Sequence, residues 1–122
     1  MMTDSYTLLY SVLSPLVGGH AYPDIIPEQP SGKTIKPPYI VYREIDAVAD
    51  NVLDEFLGAE YVRVQVDVYH SSRLSCRELS NQVITAMLGG VKHCQFTSRQ
   101  RLFDSDTSYA RYSMDFQFLI NL

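Results

Sequence analysis

The sequence predicts an α+β fold: one mainly antiparallel four-stranded sheet with two helices packed on one face. Three observations carry this. Val62, Val64, Val66 and Val68 fall on alternate positions of the run Glu60–His70, and a strand turns alternate side chains to opposite faces, so the valines line one side. Tyr112, Met114, Phe116, Phe118 and Ile120 alternate in the same way with Arg111, Ser113, Asp115, Gln117 and Leu119. Two stretches with apolar residues at helical spacing supply the cover that two half-apolar strands need.

In chain order, Asp4–Val17 reads as a short helix. Asp4 or Ser5 can cap it. Leu9, Val12, Leu13 and Leu16 form its stripe, with Tyr6 one turn earlier, and Ser14-Pro15 followed by Gly18-Gly19 ends it. The segment 21–38 carries Pro23, Pro27, Pro30, Pro37 and Pro38. Proline removes amide donors and fixes φ, so a long connection is expected, with Ile25 and Ile26 as an anchor. Tyr39–Ala47 is a strand whose inward face the pattern leaves open, since Tyr39 and Val41 compete with Ile40 and Tyr42. The acidic run 46–58 reads as a hairpin-like connection, with Leu53, Phe56 and Leu57 as a helical turn or an apolar tip. Ser71 or Ser72 caps a second helix reaching Leu88 and ending at Gly89-Gly90. Cys76, Leu79, Val83 and Met87 form its stripe, widened by Leu74, Ile84 and Leu88. His93–Phe103 is a weaker strand, Asp104–Thr107 a turn, and Tyr109–Leu122 the last strand.

Residues 1–122 are expected to form a single domain, long enough for a core without disulfides or metal. Hydrophobic residues make up 46% and charged residues 20%, with a net charge of -4. Such a chain has no global electrostatic reason to seek DNA or an anionic membrane. No secretory signal or membrane-length apolar run is read from the chain, so Cys76 and Cys94 are expected as free thiols in a reducing cytoplasm.

Enzyme readings find little support in the residue pattern. His70, Cys76, His93 and Cys94 match no zinc-ligand spacing, and Cys76 is accounted for by the helix stripe. A Cys–His nucleophile would need an orienting third group. Asp104 and Asp106 sit in turn chemistry. Both glycine pairs follow helices, so they are not phosphate cradles. Neither catalytic residues nor a cofactor or metal is expected.

Four pieces, taken in order, resemble a known family. They are Leu16-Val17-Gly18-Gly19-His20-Ala21-Tyr22-Pro23, Pro37-Pro38-Tyr39-Ile40-Val41-Tyr42, the valine strand with the helix after it, and Tyr109-Ala110-Arg111-Tyr112-Ser113-Met114-Asp115-Phe116. The chain is similar over about residues 8–119 to the small tail-completion proteins of long-tailed phages and prophages, also called head–tail joining or tail-terminator proteins. The resemblance implies a structural protein, not an enzyme. It implies a homo-oligomeric ring, commonly a hexamer, at the head-proximal end of the tail tube. The partners implied are the tail-tube protein and the head connector or stopper protein. Assembly is then expected in the host cytoplasm, with a final place at the head–tail junction of the virion.

A closed ring needs two different, complementary patches on each subunit. Tyr61, Arg63, Gln65, Asp67 and Tyr69, extended by Arg111, Asp115 and Gln117, are the candidate interface, a mixed-charge aromatic row of a composition that suits one. The bland alternative is a solvated sheet face. Asp46, Asp50, Asp54 and Glu55 are candidates to line the lumen, where negative charge would let DNA pass without holding its phosphates. The competing functional reading is a monomeric or dimeric α+β protein-binding module using the same face.

Overall fold

The computed structural model describes residues 5–25, 35–52, 55–103 and 109–121, with side chains described except at 49–52, 55–59, 103 and 121. Its elements are α1 (Ser5–Leu13), continued by a 3₁₀ turn (Ser14–Val17), then β1 (Ala21–Pro23), β2 (Tyr39–Val52), β3 (Glu55–His70), α2 (Arg73–Gly90), β4 (Gln95–Phe103) and β5 (Ala110–Asn121). They build one sheet in the order β1-β2-β3-β5-β4. All pairings are antiparallel except β1 with β2, which is parallel.

The two regular ladders are neighbours in this sheet. Val62, Val64, Val66 and Val68 pair with Phe118, Phe116, Met114 and Tyr112. All eight are at most 4% exposed. Cross-strand contact between branched and aromatic side chains is the unit of sheet stabilisation. Ile40 and Tyr42 join the same face from β2, opposite Val68 and Val66. Register therefore settles which side of the first strand faces inward.

Both helices cover this face. Leu9 and Leu13 of α1 and Cys76, Val83 and Met87 of α2 are fully buried in one core with the ladders. The Ser72 hydroxyl caps α2 by accepting from the Ser75 amide at 3.2 Å, which satisfies one free donor of the first turn. Gly18 ends the 3₁₀ turn at φ 59°, a left-handed geometry that glycine adopts without steric cost. Ile84 packs against the core, but Leu74 and Leu88 are 62% and 49% exposed. The expected stripe was too wide, because positions beside it on the helix turn away from the sheet.

Two further differences follow from pairing. The connection 21–38 contains a fifth strand, since Ala21–Pro23 aligns beside Ile40–Tyr42. Three residues with one proline carry too weak a signal to be read alone. The acidic run after Ala47 is hairpin-like, as expected, but its described part is paired strand and not a helical turn. β2 and β3 stay paired to Val52 and Glu55, with register shifts between Glu44 and Asp46 and between Ala49 and Asn51. The extra residues let the ribbon twist and continue as an arm. Leu53 and Asp54, and the turn at 104–107, lie outside the described residues.

Two outcomes test this packing. Phe118→Ala, removing a ring with no exposed surface, should lower unfolding free energy by about 3–5 kcal/mol in urea titration. Gln117→Ala beside it should change it by less than about 0.5 kcal/mol. Burial also pushes the Cys76 and Cys94 thiols up to about 11. A thiol held neutral by the fold contributes stability that is whole below its ordinary pKa near 9 and lost as pH rises toward the folded value. The urea midpoint should thus fall between pH 9 and about 11, and fall less in Cys94→Ala.

Candidate functional site

The sheet face away from the helices is built by the odd-numbered residues of β3 and β5. Register sets Tyr69 against Arg111, Asp67 against Ser113, Gln65 against Asp115, Arg63 against Gln117 and Tyr61 against Leu119. All eight candidate interface residues therefore share one face. That face divides into a closed half and an open half.

The closed half centres on Asp67, whose side chain has no exposed surface. Arg111 Nη2 donates to its carboxylate at 2.6 Å, and Gln65 Nε2 donates at 3.1 Å. Arg43 stands 3.8 Å away. The Arg111 guanidinium lies 5.5 Å over the Tyr69 ring, and Tyr69 stacks on Tyr39 at 4.6 Å and 21°. Tyr39, Val41 and Tyr69 form a second small core, flanked by Tyr22, Ile35 and Tyr109. A buried carboxylate needs such partners, because an unpaired charge away from water is costly. In the single chain, Asp67 and Tyr69 are thus covered by the chain's own residues, and the expectation that they stand open to a neighbour needs this correction. The physical reason is that the segment before β2 and the start of β5 fold over this end of the sheet.

The open half holds the other candidates. Tyr61, Arg63 and Asp115 are exposed, and Gln65 and Gln117 are half-buried. Arg63, Gln65, Asp115 and Gln117, with Ile45 and Thr97, surround a shallow depression of about 280 Å³. Arg63 grips Asp46 across the β2–β3 pair with two donors, Nε to Oδ1 at 2.7 Å. This contact holds the Asp46 carboxyl below its usual range and raises Arg63. Ser98 donates to Asp115 at 3.1 Å, and the Thr97 hydroxyl donates to the Asp115 carbonyl at 2.9 Å. Farther along, Val48, Tyr61 and Leu119 align across three strands, with Val48 58% exposed. The surface is a polar hollow beside an apolar edge, a composition that suits protein contact.

Of the four acidic candidates, Asp46 lies on this face and is engaged by Arg63. Asp50 and Glu55 belong to β2 and β3, with side chains outside the described residues, and Asp54 lies outside them altogether. The sequence reading missed Arg43, Tyr39 and Ile45. Only strand register and the shift after Glu44 place them here, and no local signal could have done so.

Among the described residues, no group of three or more His, Cys, Asp or Glu side chains could hold a metal ion. The Cys76 thiol lies 3.4 Å from the carbonyls of Val68 and Ala110. With both thiols pushed up to about 11, neither is a thiolate at neutral pH. Among the described residues, no helix is long and apolar enough to cross a membrane.

The two halves predict different mutational responses. Asp67→Ala should cost about 3 kcal/mol, since it leaves Arg111 facing a void. Asp46→Ala should leave the urea midpoint unchanged, because exposed ion pairs contribute little.

The family model of tail completion protein gp17 matches residues 8–121 of the chain. Among solved structures, a chain in the virion of a native gene transfer agent particle is similar, with a TM-score of 0.62. The two are 14% identical, over 96% of this chain and 91% of that one. At that identity the likeness shows a shared fold. No curated protein matches.

Proposed function

Because the chain belongs to the tail completion protein gp17 family, a family of structural virion proteins, we propose that it completes the tail of a phage or prophage as a ring-forming subunit. The ring, a hexamer in this reading, sits at the head-proximal end of the tail tube and gives the head connector or stopper protein its docking surface. Assembly takes place in the host cytoplasm, and the finished ring stays at the head–tail junction.

The observation that carries this reading is the division of the sheet's outer face. One half is completed within the chain. The other, with Tyr61, Arg63, Gln65, Asp115 and Gln117, remains a patterned open surface next to the β2–β3 arm. A solvated face needs no such hollow flanked by Val48 and Ile45, which are 58% and 48% exposed. This open half is the proposed contact with another copy or with the tail tube.

Asp46, Asp50, Asp54 and Glu55 are proposed to face the lumen, where DNA passes without specific binding. Asp46 is already neutralised by Arg63, so the weight falls on the other three. A second reading has one observation in its favour. The buried Asp67 carboxylate finds its donors within the chain, from Arg111 and Gln65, as a monomeric or dimeric protein-binding module would require.

Mass measurement separates the two. The ring reading expects a closed species of about six subunits at high concentration, and the module expects a mass that stops at one or two. Asp115→Arg should abolish binding of the chain to purified tail tubes while its thermal midpoint stays unchanged, because the side chain is exposed. Full binding by this variant would remove the open half from the interface.

A further inference from the structure

The sheet has two edges, and the chain treats them differently. On the β2 side, the edge is occupied along its first part. β1 pairs with Ile40–Tyr42, and the Asp24 amide donates to the Tyr42 carbonyl at 2.8 Å. The Glu44 amide then donates to the Tyr6 hydroxyl at 3.2 Å, which itself donates to Asp24 at 2.7 Å. Past this clip, residues 45–52 have no strand beside them among the described residues. On the far side, β4 pairs with β5 along one edge only, and its other edge, residues 95–103, is likewise open among the described residues.

An exposed edge is a template for another strand unless the chain guards it. Charged side chains are a common guard, and β4 carries Arg99 and Arg101. Arg99, however, is folded back onto the helix. Its Nη1 donates to Asn81 Oδ1 at 2.6 Å and to Ser80 Oγ at 3.2 Å, and its guanidinium lies 5.9 Å over Tyr112. It therefore does not shield the backbone of β4.

We propose that the open edge of β4 in one copy pairs, antiparallel, with residues 45–52 of β2 in the next copy, so that one sheet runs from subunit to subunit. This rests on the ring reading above and supplies its joint. Three features of the structure support it. Strand direction is right: β4 runs antiparallel to β5, β5 to β3 and β3 to β2, so β4 is antiparallel to β2. In a closed ring every copy tilts its strands alike, so that relation is preserved in the neighbour. Charge is right as well. Residues 45–52 hold Asp50, the Arg63-paired Asp46 and no basic residue, whereas β4 holds Arg101, the helix-bound Arg99 and no acidic residue. A two-fold pairing of β4 with β4, or of arm with arm, would set like charges together.

Geometry permits closure. β4 lies level with residues 39–46 of β2 through the registers of β5 and β3. The open segment 45–52 is displaced from that level by about six residues, or ~20 Å at ~3.3 Å per residue. Across four strands of ~4.8 Å spacing, roughly 19 Å, this stagger tilts the strands by ~45° from the ring axis, within the range of closed sheets.

The test is amide hydrogen exchange of the purified chain, below and above the concentration at which its mass rises. Exchange is read in peptides covering 95–103 and 45–52. Edge pairing expects both to slow on assembly, by on the order of tenfold or more for amides that gain a strand partner. Slowing of 95–103 alone means a two-fold β4 pairing and overturns the proposal. A rise in mass with neither segment slowed leaves the ring and removes this joint. A mass that never rises above one or two subunits overturns joint and ring together.

Discussion

The pairing of β3 with β5 in one register is the constraint on which the rest depends. Side chains alternate along a strand, so a slip of one residue would send every valine to water. With Val64 opposite Phe116 and Val66 opposite Met114, the apolar side is continuous and both helices have a surface to cover. The same register fixes the other side, where Gln65 meets Asp115 and Arg63 meets Gln117. Core and candidate contact surface are two consequences of one alignment.

The outer face shows how a sheet can be partly finished from within. Asp67 is taken out of water and surrounded by Arg111, Arg43 and Gln65, while Tyr69 is roofed by Tyr39 and Arg111. Buried ion pairs add little net stability over an apolar substitute, because desolvation offsets attraction. Losing one member still costs much. The cluster therefore acts mainly to lock β2, β3 and β5 together at this end of the face. This leaves the other end, next to the arm, as the surface with polar groups and apolar side chains still in reach of a partner. Continuity of that surface with the open edge of β2 joins the face and the edge into one zone.

Much of this was legible from the pattern of residues. Alternation in Val62–Val68 and Tyr112–Ile120 and the stripe of Cys76, Leu79, Val83 and Met87 each bury the side they select. The four short motifs that resemble the tail-completion family agree with the family match over residues 8–121. The burial of Asp67 was not legible, since an aspartate between valines in a half-polar strand reads as solvated. Its partners lie 24 residues earlier, at Arg43, and 44 residues later, at Arg111. No window along the chain contains all three.

By itself, the sequence determined the period of β3, β5 and both helices, a serine cap at Ser71 or Ser72 and the glycine stop at Gly18-Gly19, and hence an α+β sheet roofed on one side. Those features depend on neighbours within one or two turns or strand repeats, which a linear pattern records. The tertiary structure alone decided which side of β2 faces the core, that Ala21–Pro23 joins the sheet, that 46–52 continues as strand, and that half of the polar face is closed. Each of these depends on register between distant segments. A strand's preference for a face is set by what lies opposite it, and the chain does not carry that information locally.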